Sequence, residues 1–481
     1  MEKTRKSGFF GVRDLLCPEV YNHLELQCPY SPEAASSFDS FIDNLLVPAP
    51  TRSLRVNRIN CTDSSVALAE AEQCIGMKGH VHPQFPDILI FPPKQAPEVP
   101  PKRCSFLNLE FPDTQELAAE DEVGGNPKKV TEDMGAPCRQ NNSIMVVVGP
   151  QCGQAVLRGA HVYAPGVLAA EPGSRLGSVV SVWAIPRPSK NTPGCAATCM
   201  RSLAFLRGAY LDGERRNEVE KWGVFCGRGT LAQSLKDVFL HSKGLAIRMQ
   251  SACDLSSLPA SVVAQQLPSC VAGFVLSPLP GELVLDMCAA PGHKTSHLAS
   301  LMKNKGVVVA VERSKKRMEE MKAHLASLGA SAVECIHGDS AKNKWQCSLG
   351  GPTQLKDRFD KVLADVPCTG LGLRPRIVYD DVDMHSVREA ARYQREFLAA
   401  GCALLKPGGV LVYSTCSISW AENEENVLWA LENLPLTVEP PEPYFPGAQP
   451  PQNKVPVQRF CPSGQTIGFF IAKFRKQKEA T

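Results

Sequence analysis

No Cys-x-x-Cys pair occurs in this chain of 481 residues, although it carries nineteen cysteines. The nearest approach to a metal-like spacing is Cys195 with Cys199, too sparse for a zinc site. An odd count scattered along a long chain does not suit a disulfide scaffold either. Neither a metal nor a disulfide is therefore expected. No apolar run approaches the ~18 residues that span a bilayer, and the N-terminal MEKTRKSGFF lacks the apolar core of a signal peptide. The expectation is a soluble protein of a reducing, cytoplasmic compartment with no membrane partner. Charge of one sign is also scarce. With a formal net charge of +3, any nucleic-acid surface must be a local patch. There is no Gly-x-Gly-x-x-Gly turn, which argues against a dinucleotide-dependent dehydrogenase.

What is present changes character along the chain. Residues 1–138 begin with helical periodicity at Phe38, Phe41, Ile42 and Leu45 and an extended segment, Leu54-Arg55-Val56-Asn57. They then pass into a proline-dense and polar stretch (HPQFPDILIFPPKQAPEVPPKR, EDEVGGNPKKVTEDMG), read as linker or insertion around one strand, ILIF. Residues 139–244 show short β-branched runs punctuated by glycine: SIMVVVG, GQAVLRGAHVYAPGV, GSVVSVWAI and KWGVFCGRG. That pattern predicts a small β-rich module, with 186–216 as a long loop. From 245 to 481, apolar strands at 283–287, 307–312, 332–336, 360–366 and 409–414 alternate with helical segments such as SKKRMEEMKAHLASLG. The alternation predicts an α/β fold with a doubly wound, mostly parallel sheet, and ligands at the carboxyl ends of its strands. The last strand, 467–474, has no helix before it and is expected to run antiparallel at an edge.

The motifs sit at those strand ends. The first strand leads into Asp286-Met287-Cys288-Ala289-Ala290-Pro291-Gly292-His293-Lys294-Thr295 and then a helix. Its small residues permit close approach, and the helix start offers free N–H groups. Glu312 and Asp339 end the next two strands, so three acids face one crevice, as nucleoside binding requires. The fourth strand ends in Asp365-Val366-Pro367-Cys368-Thr369-Gly370 and the fifth in Ser414-Thr415-Cys416-Ser417. One such cysteine is an ordinary small hydrophobe; two beside a nucleoside crevice suit pyrimidine chemistry. Carbon 5 of a pyrimidine becomes nucleophilic only after a thiolate adds to carbon 6, and a second group must then help release the product. Asp365 is placed to bond the Watson–Crick edge of the ring.

The turn from Asp286 to Thr295 and the two cysteine-bearing strand ends, with Arg374-Pro375 and Glu422-Asn423-Glu424, resemble the Nol/Nop/Sun family of RNA 5-methylcytosine methyltransferases. The resemblance spans about 245–481. It implies a Rossmann-like class I methyltransferase sheet and S-adenosylmethionine as cofactor, with Cys416 as nucleophile and Cys368 assisting product release. Asp365 and Lys294 complete the catalytic set. The cofactor contacts it implies are Cys288, Ala289, Ala290, Pro291, Gly292, His293, Lys294, Glu312, Asp339 and Asp365. The β-rich module resembles a PUA domain inserted after a small N-terminal α+β segment; LRGAHVYAPGV is the clearest match, and Arg158, His161 and Tyr163 are its RNA-binding candidates. PUA-bearing members modify tRNA acceptor ends and grip the CCA tail, so the resemblance implies tRNA, with mRNA as a second RNA class, and a monomer. The Pro-Cys motif would also suit DNA, but the PUA-like module favours RNA. His293 stands where the family usually has a second glycine, so a side chain is expected to project from the turn that cradles methionine. That feature motivates one alternative, an RNA-binding protein of the same fold with impaired catalysis.

Overall fold

The computed structural model describes residues 11–27, 38–49, 51–92, 144–203, 207–250, 252, 258–445, 455–462 and 464–478. The polar insertion expected near 104–138 lies outside the described residues.

Five parallel strands form the centre of the largest sheet, in the spatial order Val333–His337, Val307–Glu312, Leu283–Asp286, Phe359–Asp365, Leu405–Thr415. The chain first moves outward on one side of Leu283–Asp286 and then returns to build the other side. The reversal lies between Leu283–Asp286 and Phe359–Asp365, where a crevice opens at the carboxyl ends. Both strands end in an aspartate, Asp286 and Asp365. Their apolar runs are buried on both faces, as parallel strands require. The long helix Met384–Leu404 covers one face; it starts on a capping box between Asp383 and Ser386 and buries Val387, Ala391, Gln394, Phe397 and Leu398 at helical spacing.

The final strand, Phe469–Lys476, is antiparallel as expected but does not lie at an edge. It pairs with Leu405–Thr415 on one side, and with Leu436–Glu439 and Val457–Phe460 end to end on the other. Those two short strands flank a proline-rich link, and this hid them in the sequence.

The second sheet is mixed and seven-stranded. It runs Val162–Tyr163, Leu245–Met249, Val224–Leu231, Val179–Ala184, Ile144–Val148, Val167–Ala170, Ala209–Tyr210. Two expectations need correction here. The GQAVLR segment is not strand: Pro150–Leu157 is a helix with proline in its first turn, burying Gly153, Val156 and Leu157 on one face. Gly153 permits its close approach to the sheet, because a Cβ there would lie 2.2 Å from that of Ala184. Nor is 186–216 one loop. It contains the helix Cys195–Ser202 and the start of another, Gly213–Trp222, whose N-cap Asp212 accepts from the Arg215 amide. Too few apolar positions mark these helices for periodicity to reveal them.

A third, four-stranded sheet runs Val262–Ala264, Arg52–Val56, Ile88–Phe91, His80–Val81. Its first strand comes from beyond residue 245, so the N-terminal segment is completed by chain from the other side of the β-rich module. The helix Ser64–Ile75 packs on this sheet, capped by Asp63 and ended by Gly76 in the left-handed region.

Two backbones cross next to Cys416. The Gly372 amide donates to the Cys416 carbonyl at 2.9 Å, and the Gly468 amide to the Gly372 carbonyl at 2.8 Å. A Cβ on Gly372 would lie 2.3 Å from the Gly468 carbonyl oxygen. Gly372→Ala should therefore destabilise the chain by about 1–3 kcal/mol through overpacking. A urea midpoint unchanged from wild type would show that the crossing opens without cost.

Candidate active site

Two cavities meet at Asp365 and Val366. One, of about 460 Å³, opens over the strand ends and is lined by Cys288, Ala290, Glu312, Asp339, Asp365 and Pro367, among others. The other, of about 420 Å³, holds Cys416, Lys294, His293 and Arg158 and reaches the small N-terminal sheet.

At the junction the Lys294 ammonium lies 2.7 Å from Asp365, whose second oxygen accepts from the Ser414 hydroxyl at 2.7 Å. Burial opposes the lysine charge, but the Asp365 carboxylate more than offsets it, so Lys294 titrates above the ordinary lysine value. Register explains the meeting: Asp365 pairs with Ser414, two residues before Cys416.

The Cys368 and Cys416 sulfurs are 3.2 Å apart. The hydrogen bond from the Cys368 thiol holds Cys416 below the ordinary thiol value, and the same bond, with burial, pushes Cys368 well above it. Cys288, in the other cavity, is raised by burial and by the surrounding carboxylates, Asp286 first among them. Of these three, only Cys416 is favoured as the thiolate.

Glu422 fixes the two cysteine loops to each other. This fully buried carboxylate accepts from the Thr369 amide at 2.9 Å and hydroxyl at 2.5 Å, the Ser417 hydroxyl at 2.5 Å and the Gln394 amide at 3.0 Å. Gln394 also donates to the Pro367 carbonyl at 3.0 Å. Thr369 follows Cys368 and Ser417 follows Cys416, so one side chain holds both loops.

The cofactor set is split by the structure. Cys288, Ala290, Glu312, Asp339 and Asp365 line the first cavity, whereas Ala289, Pro291 and Gly292 form the turn without lining it. His293 and Lys294 line the second. The expected projection of His293 into the first cavity does not occur. Its ring stands 5.3 Å from that of His324, and burial lowers its pKa to about 4, so it is neutral. The RNA candidates are split too. Arg158 ends the helix Pro150–Leu157 and reaches the second cavity, the His161 ring accepts from the Met249 amide at 3.1 Å, and Tyr163 projects into solvent.

A family model described as 16S rRNA methyltransferase RsmB/F matches residues 273–475. The mouse tRNA (cytosine(72)-C(5))-methyltransferase NSUN6 is 36% identical over 378 residues, 69% of this chain and 74% of that protein. A tRNA (cytosine(72)-C(5))-methyltransferase from Pyrococcus horikoshii is 32% identical over 344 residues, 70% of this chain and 76% of that one. This chain belongs to the Nol/Nop/Sun family of RNA cytosine-5 methyltransferases. The crystal structure of NSun6 from Pyrococcus horikoshii with SFG aligns at a TM-score of 0.71 and 27% identity, over 97% of this chain and 100% of that one. The seven-stranded sheet is accordingly the PUA-like module of a Nol/Nop/Sun methyltransferase.

S-adenosylmethionine is the family's cofactor, and the first cavity fits it. Its volume lies in the ordinary range for such ligands. The cavity lining includes carboxylates at three successive strand ends, and the Ser340 hydroxyl there is buried without a partner among the described residues. Among the described residues no cluster of metal-ligating side chains occurs, and no helix is long and apolar enough to cross a membrane.

Sequence reasoning passed over Glu422 as a site residue, although it lies six positions after Cys416. It also passed over Arg52, which lines the second cavity from more than 350 positions away and for which no local signal exists. Glu422→Ala strands four donors at the cysteine loops and should cost about 2–4 kcal/mol, whereas Glu422→Gln, keeping one acceptor, should cost about half as much. Equal denaturation midpoints for the two variants would count against the clasp.

Proposed function

We propose that this chain methylates carbon 5 of a cytidine at the acceptor end of tRNA, with Cys416 as nucleophile and Cys368 assisting release. The observation that carries the reading is the 3.2 Å sulfur pair, of which Cys416 lines a cavity shared with the PUA-like module that meets a cofactor-sized cavity at Asp365. Relatives named for cytosine 72 of tRNA favour that nucleotide and tRNA over mRNA. In this reading residues 139–244 grip the RNA and 245–481 carry out the chemistry.

Glu312, Asp339 and Asp365 would hold S-adenosylmethionine, which supplies an electrophilic methyl group. The cytosine enters the second cavity, where the Cys416 thiolate adds to carbon 6 and makes carbon 5 nucleophilic. Asp365, steadied by Ser414 and Lys294, accepts from the amino group of the base, and the nearby ammonium stabilises charge that builds on the ring. Once carbon 5 carries the methyl, its proton must leave and the Cys416–carbon bond must break. Cys368, beside that bond, assists this elimination by passing its thiol proton to the departing Cys416 sulfur and taking the carbon-5 proton in exchange.

The two cysteines should therefore fail in opposite ways. Cys416→Ala should give neither product nor adduct, while Cys368→Ala should accumulate RNA-linked protein on a denaturing gel, lost in the double variant. A stable adduct from Cys416→Ala would make Cys368 the nucleophile. Lys294→Ala should lower kcat about 10²- to 10³-fold and shift cofactor affinity less than about threefold. Calorimetry showing affinity falling as far as rate would reduce Lys294 to a cofactor ligand.

A further inference from the structure

The second cavity carries more positive charge than its own residues balance. Its charged lining side chains are Arg52, Arg158, Lys294 and Asp365, with His293 held neutral by burial. Lys294 and Asp365 cancel as an ion pair, which leaves two guanidinium groups. Even an ionised Cys416 would leave one positive charge in excess.

Neither guanidinium is saturated. Arg52 begins the strand Arg52–Val56, and its Nη1 is shut off from solvent with no hydrogen-bond partner among the described residues. Arg158 spends one N–H on the Pro375 carbonyl at 3.3 Å. Burial and the neighbouring Arg376 charge depress its pKa, the mark of a cation short of counter-charge. A shielded donor left unpaired is destabilising, and a ligand that pairs it removes that cost.

The backbone next to Arg158 seats the Arg52 guanidinium. Gly159, at φ +102°, follows Arg158 directly; a Cβ there would lie 2.8 Å from Arg52 Nη2, 3.3 Å from its Cζ and 3.5 Å from its Nη1. The Arg52 guanidinium is thus seated against Gly159, and any side chain at that position would push it away. One group comes from the N-terminal sheet and the other from the PUA-like module, and both face the cavity that holds Cys416.

We propose that Arg52 and Arg158 form a phosphate clamp for the RNA linkage flanking the target cytidine. The inference rests on this cavity being the seat of that base. Every base that enters brings a phosphodiester with it, and paired guanidinium forks match its two non-bridging oxygens. Such a contact reads no sequence; it fixes the register of the nucleotide over the thiolate. Arg52 is a positioning residue here, because it touches neither the reacting carbon nor the methyl donor.

The test pairs protein variants with tRNA in which one linkage on either side of the target cytidine is a neutral methylphosphonate. For the wild-type chain, one of the two neutral linkages should lower kcat/KM about tenfold. Arg52→Ala should lose about as much on native tRNA and nothing more on that neutral RNA, with cofactor affinity unchanged. Arg52→Lys should recover part of the loss, and the salt slope of RNA binding should fall by about 0.7 in Arg52→Ala. Losses that multiply would show that Arg52 and the linkage act independently and would overturn the clamp; so would a wild-type chain indifferent to both neutral linkages. The adduct trapped by Cys368→Ala judges the parent reading separately. Without it the cavity is not the cytosine seat, and with it the linkage experiment bears on Arg52 and Arg158 alone.

Discussion

A single buried carboxylate holds the reacting end of this protein together. Glu422 spends its acceptor capacity on the residues that follow Cys368 and Cys416 and on Gln394 from the covering helix. Two sulfurs 3.2 Å apart, just beyond the ends of separate strands, need such an external reference, since neither loop is regular structure. The network continues through Tyr413, whose single hydroxyl proton has both the Gln394 side-chain oxygen and the Glu422 carbonyl within hydrogen-bond reach, and through Asn426, which donates to Gln394. Every polar atom named here finds a partner, and that is what makes a polar core of this size tolerable. The Gly372–Gly468 crossing fixes the Cys416 loop from its other side.

The chemistry follows from how this frame divides the charges. Lys294 and Asp365 neutralise each other where the cavities meet, so the excess positive charge of the second cavity is that of Arg52 and Arg158. The difference between the cysteines then comes from their mutual hydrogen bond. One sulfur is held ready to attack and the other is kept protonated beside it.

The parallel sheet and its strand ends were legible in the sequence because buried strands announce themselves as apolar runs and their motifs stand directly after them. Asp365, Lys294, Cys368 and Cys416 were found this way, and the register of neighbouring strands brings them together. Where local signals are weak, sequence reading failed. The helix Pro150–Leu157 is too short and too rich in β-branched and small neighbours to stand out from strand, and the final strand looked like an edge because its partners are only four residues each. His293 shows a different limit. A motif position says that a side chain exists there but not which way the helix start turns it, and the ring turned to His324 rather than to the cofactor cavity. Arg52 is the extreme case, since tertiary folding alone brings it to the cavity.

The strand Val262–Ala264 belongs by position to the catalytic half, yet among the described residues it pairs only with Arg52–Val56 from the N-terminal segment. The PUA-like module is therefore a loop of chain looped out between two partners that must find each other across about two hundred residues. The pairings among Arg52–Val56, His80–Val81 and Ile88–Phe91 are local, whereas adding Val262–Ala264 waits for that long closure and its entropy. A fragment beginning at residue 245 would have a bare β-edge where its N-terminal neighbour should lie, a template for self-association. Catalytic and N-terminal parts thus share one sheet despite their separation in sequence.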